Sequence, residues 1–165
     1  HRSRVSGKRS HALYSNFRHQ CRSLDRDHRS LGQAAHNKEF ITPGAEWLLD
    51  NYHIIQQNIA DLRRQFPKGY DKTLPKLIDD STDTPGRVGY PRTYQIALEL
   101  LHKSDSVVTP ELLDSFIGGY QSVSNLTIGE IWSIPIMLRF ALIENISSLA
   151  GRFQLVREER QEADL

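Results

Sequence analysis

Glu46 and Asp50 stand one helical turn apart, and His53, Gln57 and Asp61 continue the same polar row. Paired carboxylates can hydrolyse a glycosidic bond, but one of them must sit in an apolar pocket that keeps it protonated at neutral pH. No such pocket is legible around either residue. The row lies opposite an apolar one, so it reads as a solvated or domain-facing surface, or in a sharper form as a strip that meets sugar hydroxyls. Asp25-Arg26-Asp27 has the D-x-D spacing with which many sugar-nucleotide transferases hold a divalent ion. That chemistry needs the carboxylates to converge at the end of a strand, and nothing in this sequence makes a sheet. Asp79, Asp80 and Asp83 lack the glycine and the distal glutamate of a calcium loop. Five of the seven histidines (His1, His11, His19, His28 and His36) recur at spacings of eight to ten, which scatters them around a helix. No H-x-x-x-H or H-E-x-x-H pair occurs. The residues therefore nominate no catalytic group, no metal site and no cofactor site.

Other charged residues read as structural. Glu130, Arg139 and Glu144 lie in the most apolar part of the chain. A buried charge must be paired, so a structural ion pair is expected there, with Arg139 meeting a carboxylate across the bundle. The segment Gly86–Arg92 (GRVGYPR) combines two glycines, an aromatic and two arginines just before a helix start. Tyr90 can stack on a ligand, and the Arg92 fork can take a carboxylate or phosphate. The plainer alternative pairs Arg92 with an acid of the helix over Glu46–Phe66, pinning the loop. The glycosylation-type triplets at Asn125 and Asn145 fall on a helix cap and within a helix, and read as chance.

The elements that must position these residues are helical. Thr42-Pro43 is an N-cap followed by proline at the first helical position. Ala45, Leu48, Leu49, Tyr52, Ile55, Ile59, Leu62 and Phe66 then recur at spacings of three and four, which predicts one long amphipathic helix closed by Pro67-Lys68-Gly69. One or two helical turns are expected over Tyr70–Ile78, and a turn-rich loop over Asp79–Gly89. Pro91 opens a helix with Tyr94, Ala97, Leu98 and Leu101 on its apolar stripe. Thr109-Pro110-Glu111 opens another, with Leu112, Leu113, Phe116, Ile117 and Tyr120 inward. Thr127-Ile128-Gly129-Glu130 is a capping box. The helix after it is apolar nearly all round, runs to about Arg160, and contains Pro135, where a kink is expected. Leu48, Ile55, Ile59, Leu98, Leu101, Phe116, Ile131, Leu138, Leu142 and Leu149 are the expected core. The fold class is all-α: an irregular bundle of about five helices around a long C-terminal one.

Composition sets the remaining bounds. The 165 residues are 38% hydrophobic and 25% charged, an ordinary globular balance. Cys21 is the only cysteine, so an internal disulfide framework and a thiolate metal cage are both excluded. The chain begins at His, and its first ten residues lack the apolar run of a signal peptide, so it is expected to be cut from something longer. The apolar stretch over Ile131–Ile146 is interrupted by Arg139 and Glu144 and reads as a core helix, not a transmembrane one. Residues 1–40 hold nine Lys/Arg against three Asp/Glu, while the whole chain is only +1. They read as a basic, partly disordered arm, with a mobile stretch to residue 18 and a weakly amphipathic helix over 19–38, ahead of a helical domain over 41–165. No aromatic interleaving supports nucleic-acid binding by that arm.

Four phrases in fixed order are more specific: EWLLDNYHII (Glu46–Ile55), FPKGYDKTLPKL (Phe66–Leu77), GYPRTYQIALELLHKSDS (Gly89–Ser106) and LTIGEIWSIPIMLRFALIEN (Leu126–Asn145). Together they resemble the N-terminal cytoplasmic region of bacterial cyclic β-1,2-glucan synthases. The resemblance covers residues 42–150 or so and leaves 1–40 aside. It implies part of a large inner-membrane polypeptide that makes periplasmic glucan from UDP-glucose, with sugar transfer carried by another domain. This segment would then lie on the cytoplasmic side, take no cofactor, and have the synthase's other domains as partners. A protein-linked glucan would make a tyrosine acceptor conceivable among Tyr52, Tyr70, Tyr90, Tyr94 and Tyr120, and nothing singles one out.

Two readings from different classes follow. One is a non-catalytic helical module that docks onto the catalytic or membrane domains and organises them. The other is a glucan-binding module in which Trp47, Tyr90 and Trp132 stack on sugar beside Glu46, Asp50, Asn51 and Arg92. Sugar stacking requires exposed aromatics, so burial of Trp47 and Trp132 would favour the docking module.

Overall fold

The computed structural model describes residues 12–66, 70–77 and 88–163. The elements are α1 (Ala12–His36), α2 (Pro43–Asp50), α3 (Tyr52–Gln65), the single turn α4 (Tyr70–Thr73), α5 (Arg92–Lys103), α6 (Pro110–Gln121) and α7 (Ile128–Ala163). No strand forms among the described residues, and the fold class is all-α. Its helix starts follow the local chemistry of the sequence. Thr42 Oγ1 accepts from Ala45 N at 3.2 Å, and Thr109 Oγ1 accepts from Leu112 N at 3.2 Å. At α7, Thr127 Oγ1 accepts from Glu130 N (3.3 Å) while Glu130 Oε2 accepts from Thr127 N (2.9 Å), the reciprocal pair of a capping box.

The chain divides into two compact units, His1–Ser15 with Phe66–Leu142 and Asn16–Gln65 with Ile143–Leu165. In the second of these, α1 buries Phe17, Cys21, Leu24, Leu31 and Ala34, α2 buries Ala45 and Leu48, and α3 buries Tyr52, Ile55, Ile59 and Leu62. Ile143 and Ala150 of α7 are buried in the same unit. Gly44 is required by packing, since a Cβ there would lie 2.6 Å from Phe153 Cζ. Arg157 Nη1 and Gln161 Nε2 both donate to Glu39 Oε2, at 2.9 and 2.7 Å. These bonds hold the end of α7 to the segment between α1 and α2.

In the other unit, Phe66, Leu74, Tyr94, Ile96, Ala97, Leu100, Leu101, Ile134, Met137, Phe140 and Ala141 are buried. The Phe66 and Phe140 rings meet edge to face, centroids 5.0 Å apart. A short backbone ladder joins the segment after α4 to the start of α5. Leu77 N donates to Tyr90 O (2.9 Å), Gly89 N to Leu77 O (3.0 Å) and Arg92 N to Pro75 O (3.0 Å). Gly89 sits at φ 88°, a conformation that suits glycine.

Several expectations need correction. The long helix expected over Ala45–Phe66 is two, α2 and α3, broken at Asn51. Asn51 caps α2, its backbone N and its Nδ2 both donating to Trp47 O, at 3.0 and 2.8 Å. Within the stretch read as an arm, α1 begins at Ala12 and buries one face from Leu13 onward. Its few apolar residues are spread among charges, which hides the stripe. Of the ten expected core residues, Leu48, Ile55, Ile59 and Leu101 are buried, and Leu98, Phe116 and Leu138 are half-buried. Ile131, Leu142 and Leu149 are exposed. The burial of Ile134, Met137 and Phe140 instead reflects a helix whose apolar residues run all round, so periodicity cannot choose its inner face. No residue of α6 is fully buried. By length and composition α7 could cross a membrane, although Glu130 and Ser133 lie on its buried face. His1, His11, Pro67-Lys68-Gly69, Asp79, Asp80, Asp83, Gly86 and Arg87 lie outside the described residues.

Candidate functional site

Glu130 is 0% exposed and ionisable, so its surroundings must supply hydrogen bonds. They do so fully. Arg92 Nε donates to Oε1, while Arg92 Nη2 (2.9 Å), Thr127 N (2.9 Å) and Thr127 Oγ1 (3.0 Å) donate to Oε2. Arg92 also donates from Nη1 to Ser124 Oγ (2.9 Å) and from Nη2 to Asn125 O (2.7 Å). The hydrogen-bonded Arg92 fork holds the Glu130 carboxyl below the usual carboxylate range, against the opposing effect of burial. The same bonds raise the Arg92 pKa further. This pair ties the start of α5 to the start of α7, and it commits most of the guanidinium's donors internally. The partner of Arg92 is thus Glu130, not an acid of Glu46–Phe66. Arg139 is exposed, and Glu144 Oε2 accepts from Asn16 Nδ2 at 3.1 Å. Ser133 Oγ donates to Glu130 O (2.7 Å) and shares a hydrogen bond with Thr93 Oγ1 (3.1 Å), which extends the buried polar layer.

The residues proposed for binding fall in both units. Tyr90, Arg92 and Trp132 belong to one; Glu46, Trp47, Asp50 and Asn51 belong to the other. Trp47 is 60% and Trp132 77% exposed, so neither indole is spent on a core. Glu46 and Asp50 are exposed beside Trp47 on α2. Tyr90 is half-buried and stacks on Tyr94, centroids 5.6 Å apart. One face of that ring is therefore occupied.

A cluster that no sequence motif marks joins α1 to α3. Tyr52 Oη donates to Asp25 Oδ1 at 2.7 Å, and the His28 ring stacks on Tyr52 with centroids 3.6 Å apart. Burial, followed by the Asp25 bond, pushes the Tyr52 hydroxyl well above its usual range. Burial lowers the His28 pKa, and burial raises that of the neighbouring Cys21 thiol, keeping it protonated. Tyr52→Phe should cost about 1–2 kcal/mol in a denaturant titration, the worth of a hydrogen bond to a half-exposed charged group. Because His28 is harder to protonate folded than unfolded, its contribution is complete above the ordinary value of 6.5 and is lost as pH falls through the lower folded value. Stability should decline on acidification from neutral pH, and His28→Gln should flatten that decline.

Asp27 was also missed as a buried residue; it is only 7% exposed. The signal was present, since Leu24, Asp27, Leu31 and Ala34 follow the spacing of three and four that marks the buried face of α1. Among the described residues no group of three His, Cys, Asp or Glu side chains is placed to hold a metal ion.

No protein-family model matches this chain. Over 124 residues, 75% of its length, it is 39% identical to NdvB of Rhizobium meliloti (strain 1021). The match is to a cyclic beta-(1,2)-glucan synthase. The aligned stretch is 4% of that synthase, so this chain spans a small part of the curated relative. Its resemblance to the synthases, read from four phrases of sequence, stands as a fragment match.

Proposed function

We propose that this chain is an accessory helical segment of a cyclic β-1,2-glucan synthase. It is non-catalytic by itself and docks onto the remaining domains of that polypeptide, on the cytoplasmic side of the bacterial inner membrane. The observation that carries this reading is the outer face of α7. Ile128 and Trp132 are each 77% exposed, and Ile131, Pro135 and Leu142 continue the exposed row along the same helix, with Arg139 the one charge within it. The opposite face packs Ile134, Met137 and Phe140 into the core. A helix that is apolar on both sides has a second surface to cover, and exposed apolar patches mark interaction sites. Tryptophan is the residue type most enriched among interface hot spots.

The test uses the Ile128→Ser/Trp132→Ala double variant. Neither residue is buried, so the 165-residue chain should melt within about 0.5 kcal/mol of the parent. In a synthase containing this segment, the variant should lose glucan synthesis, with docking weakened by about 2 kcal/mol or more. Unchanged synthesis would sink the docking reading, as would binding of the isolated chain to protein-free liposomes through Trp132. A second reading, glucan binding, is favoured by the exposure of Trp47 beside Glu46, Asp50 and Asn51. It predicts quenching of Trp47 fluorescence by β-1,2-gluco-oligosaccharide and no loss of docking in Trp47→Ala.

A further inference from the structure

A groove of about 640 Å³ runs between α1 and the C-terminal half of α7, within the unit formed by Asn16–Gln65 and Ile143–Leu165. That size falls inside the range of roughly 300–1,000 Å³ typical of small-molecule sites. Alcohols and amides dominate its wall, among them Gln20, Ser30, Ser148 and Gln154. At its base the Asp27 side chain is only 9% exposed. Asp27 takes a single long hydrogen bond, from Arg26 Nε to Oδ1 at 3.4 Å, and Arg26 is itself 74% exposed. Among the described residues, no donor reaches Asp27 Oδ2. Glu130 spends both carboxylate oxygens on donors within the fold, whereas Asp27 lines the open groove.

Gly151 adds an independent observation. It lies within α7, where glycine weakens a helix relative to alanine. A methyl group there would meet Asp27 Oδ2 at 3.9 Å, an ordinary contact distance. Packing therefore does not demand glycine at this position. What the missing side chain provides is an open approach to Oδ2.

We propose that this groove binds a neutral polyhydroxylated ligand, a short chain of glucose units, with Asp27 accepting its hydroxyl protons. The wall chemistry selects the class. Asp27, Glu144 and Glu158 outweigh Arg26, so the groove repels phosphates and sugar nucleotides. Among the described residues no three His, Cys, Asp or Glu side chains are grouped to hold a metal ion, the groove's carboxylates included. Serine and glutamine both donate and accept, which matches a sugar hydroxyl better than a cation that only donates. No aromatic ring lines the groove, so binding rests on hydrogen bonds and is expected in the millimolar range. The choice of glucose rests on the match to a glucan synthase, whereas the polyol chemistry rests on the groove alone. The site is separate from the α7 row of Ile128 and Trp132, so either reading can fail without the other.

The test is a titration of the whole 165-residue chain with linear β-1,2-gluco-oligosaccharide, followed by amide NMR. Saturable shifts are expected at Asp27, Ser30, Ser148 and Gly151, and added salt should leave the affinity unchanged, since the ligand is neutral. Asp27→Asn should weaken binding about tenfold or more. Gly151→Ala should raise the melting temperature while lowering affinity, a loss that unfolding cannot explain. Absence of saturable shifts would overturn the proposal, as would shifts confined to the neighbourhoods of Trp47 or Trp132. So would unchanged affinity in Gly151→Ala, or a response to spermidine with none to the oligosaccharide.

Discussion

Arg92→Ala should destabilise the chain by about 3–5 kcal/mol, the usual result of stripping the partner from a buried charge. The Glu130 carboxylate it would abandon is 0% exposed, whereas the Arg92 side chain is 22% exposed. The alanine variant thus leaves a desolvated anion held only by Thr127. Glu130→Gln should cost less, because it removes the charge along with the need to pair it. A chemical-denaturation double-mutant cycle on Arg92 and Glu130 checks both statements. The pH dependence checks the cause. The Glu130 pKa is lower in the folded chain than its ordinary value of 4.5. Its contribution is therefore complete above that value and is lost as pH falls through the folded one. Wild type should show this acid loss, and Arg92→Ala should show much less of it. If Arg92→Ala melted like the parent, the pair would carry no stability and the arginine would return to consideration as a ligand-binding residue.

Phe140→Ala should cost about 3–5 kcal/mol. The Phe140 ring is 2% exposed and packs edge to face against Phe66. Truncating it removes the edge contact with Phe66 and leaves a cavity on the inner side of α7. Leu138 is adjacent in sequence but only half-buried. The sequence alone points to a loss of about 2–5 kcal/mol for Leu138→Ala, as for a core leucine; on its observed burial that variant should lose clearly less than Phe140→Ala. Urea titrations of the two variants, compared at equal slope, decide the matter. Equal losses would mean that the outer face of α7 packs as tightly as the inner one.

The starts of α2, α6 and α7 were legible in the sequence because the bonds that make them are local. Thr42, Thr109 and Thr127 each cap a backbone N–H three residues ahead. The all-helical class followed from the same local patterns, and the likeness to a glucan synthase from four phrases of sequence. Other features depend on what each helix meets. The inner face of α7 was settled by its neighbours, since Ile131 and Ile134 are equally apolar yet only Ile134 is buried. Arg92 found its acid 38 residues away on α7, not within Glu46–Phe66 where one was expected. Asp27 looked like one half of a surface D-x-D pair until the packing of α1 buried it and left it lining a groove. The physical reason is common to all of these. Capping is decided within a turn of chain, whereas burial and ion pairing are decided by surfaces that meet only after the helices have formed.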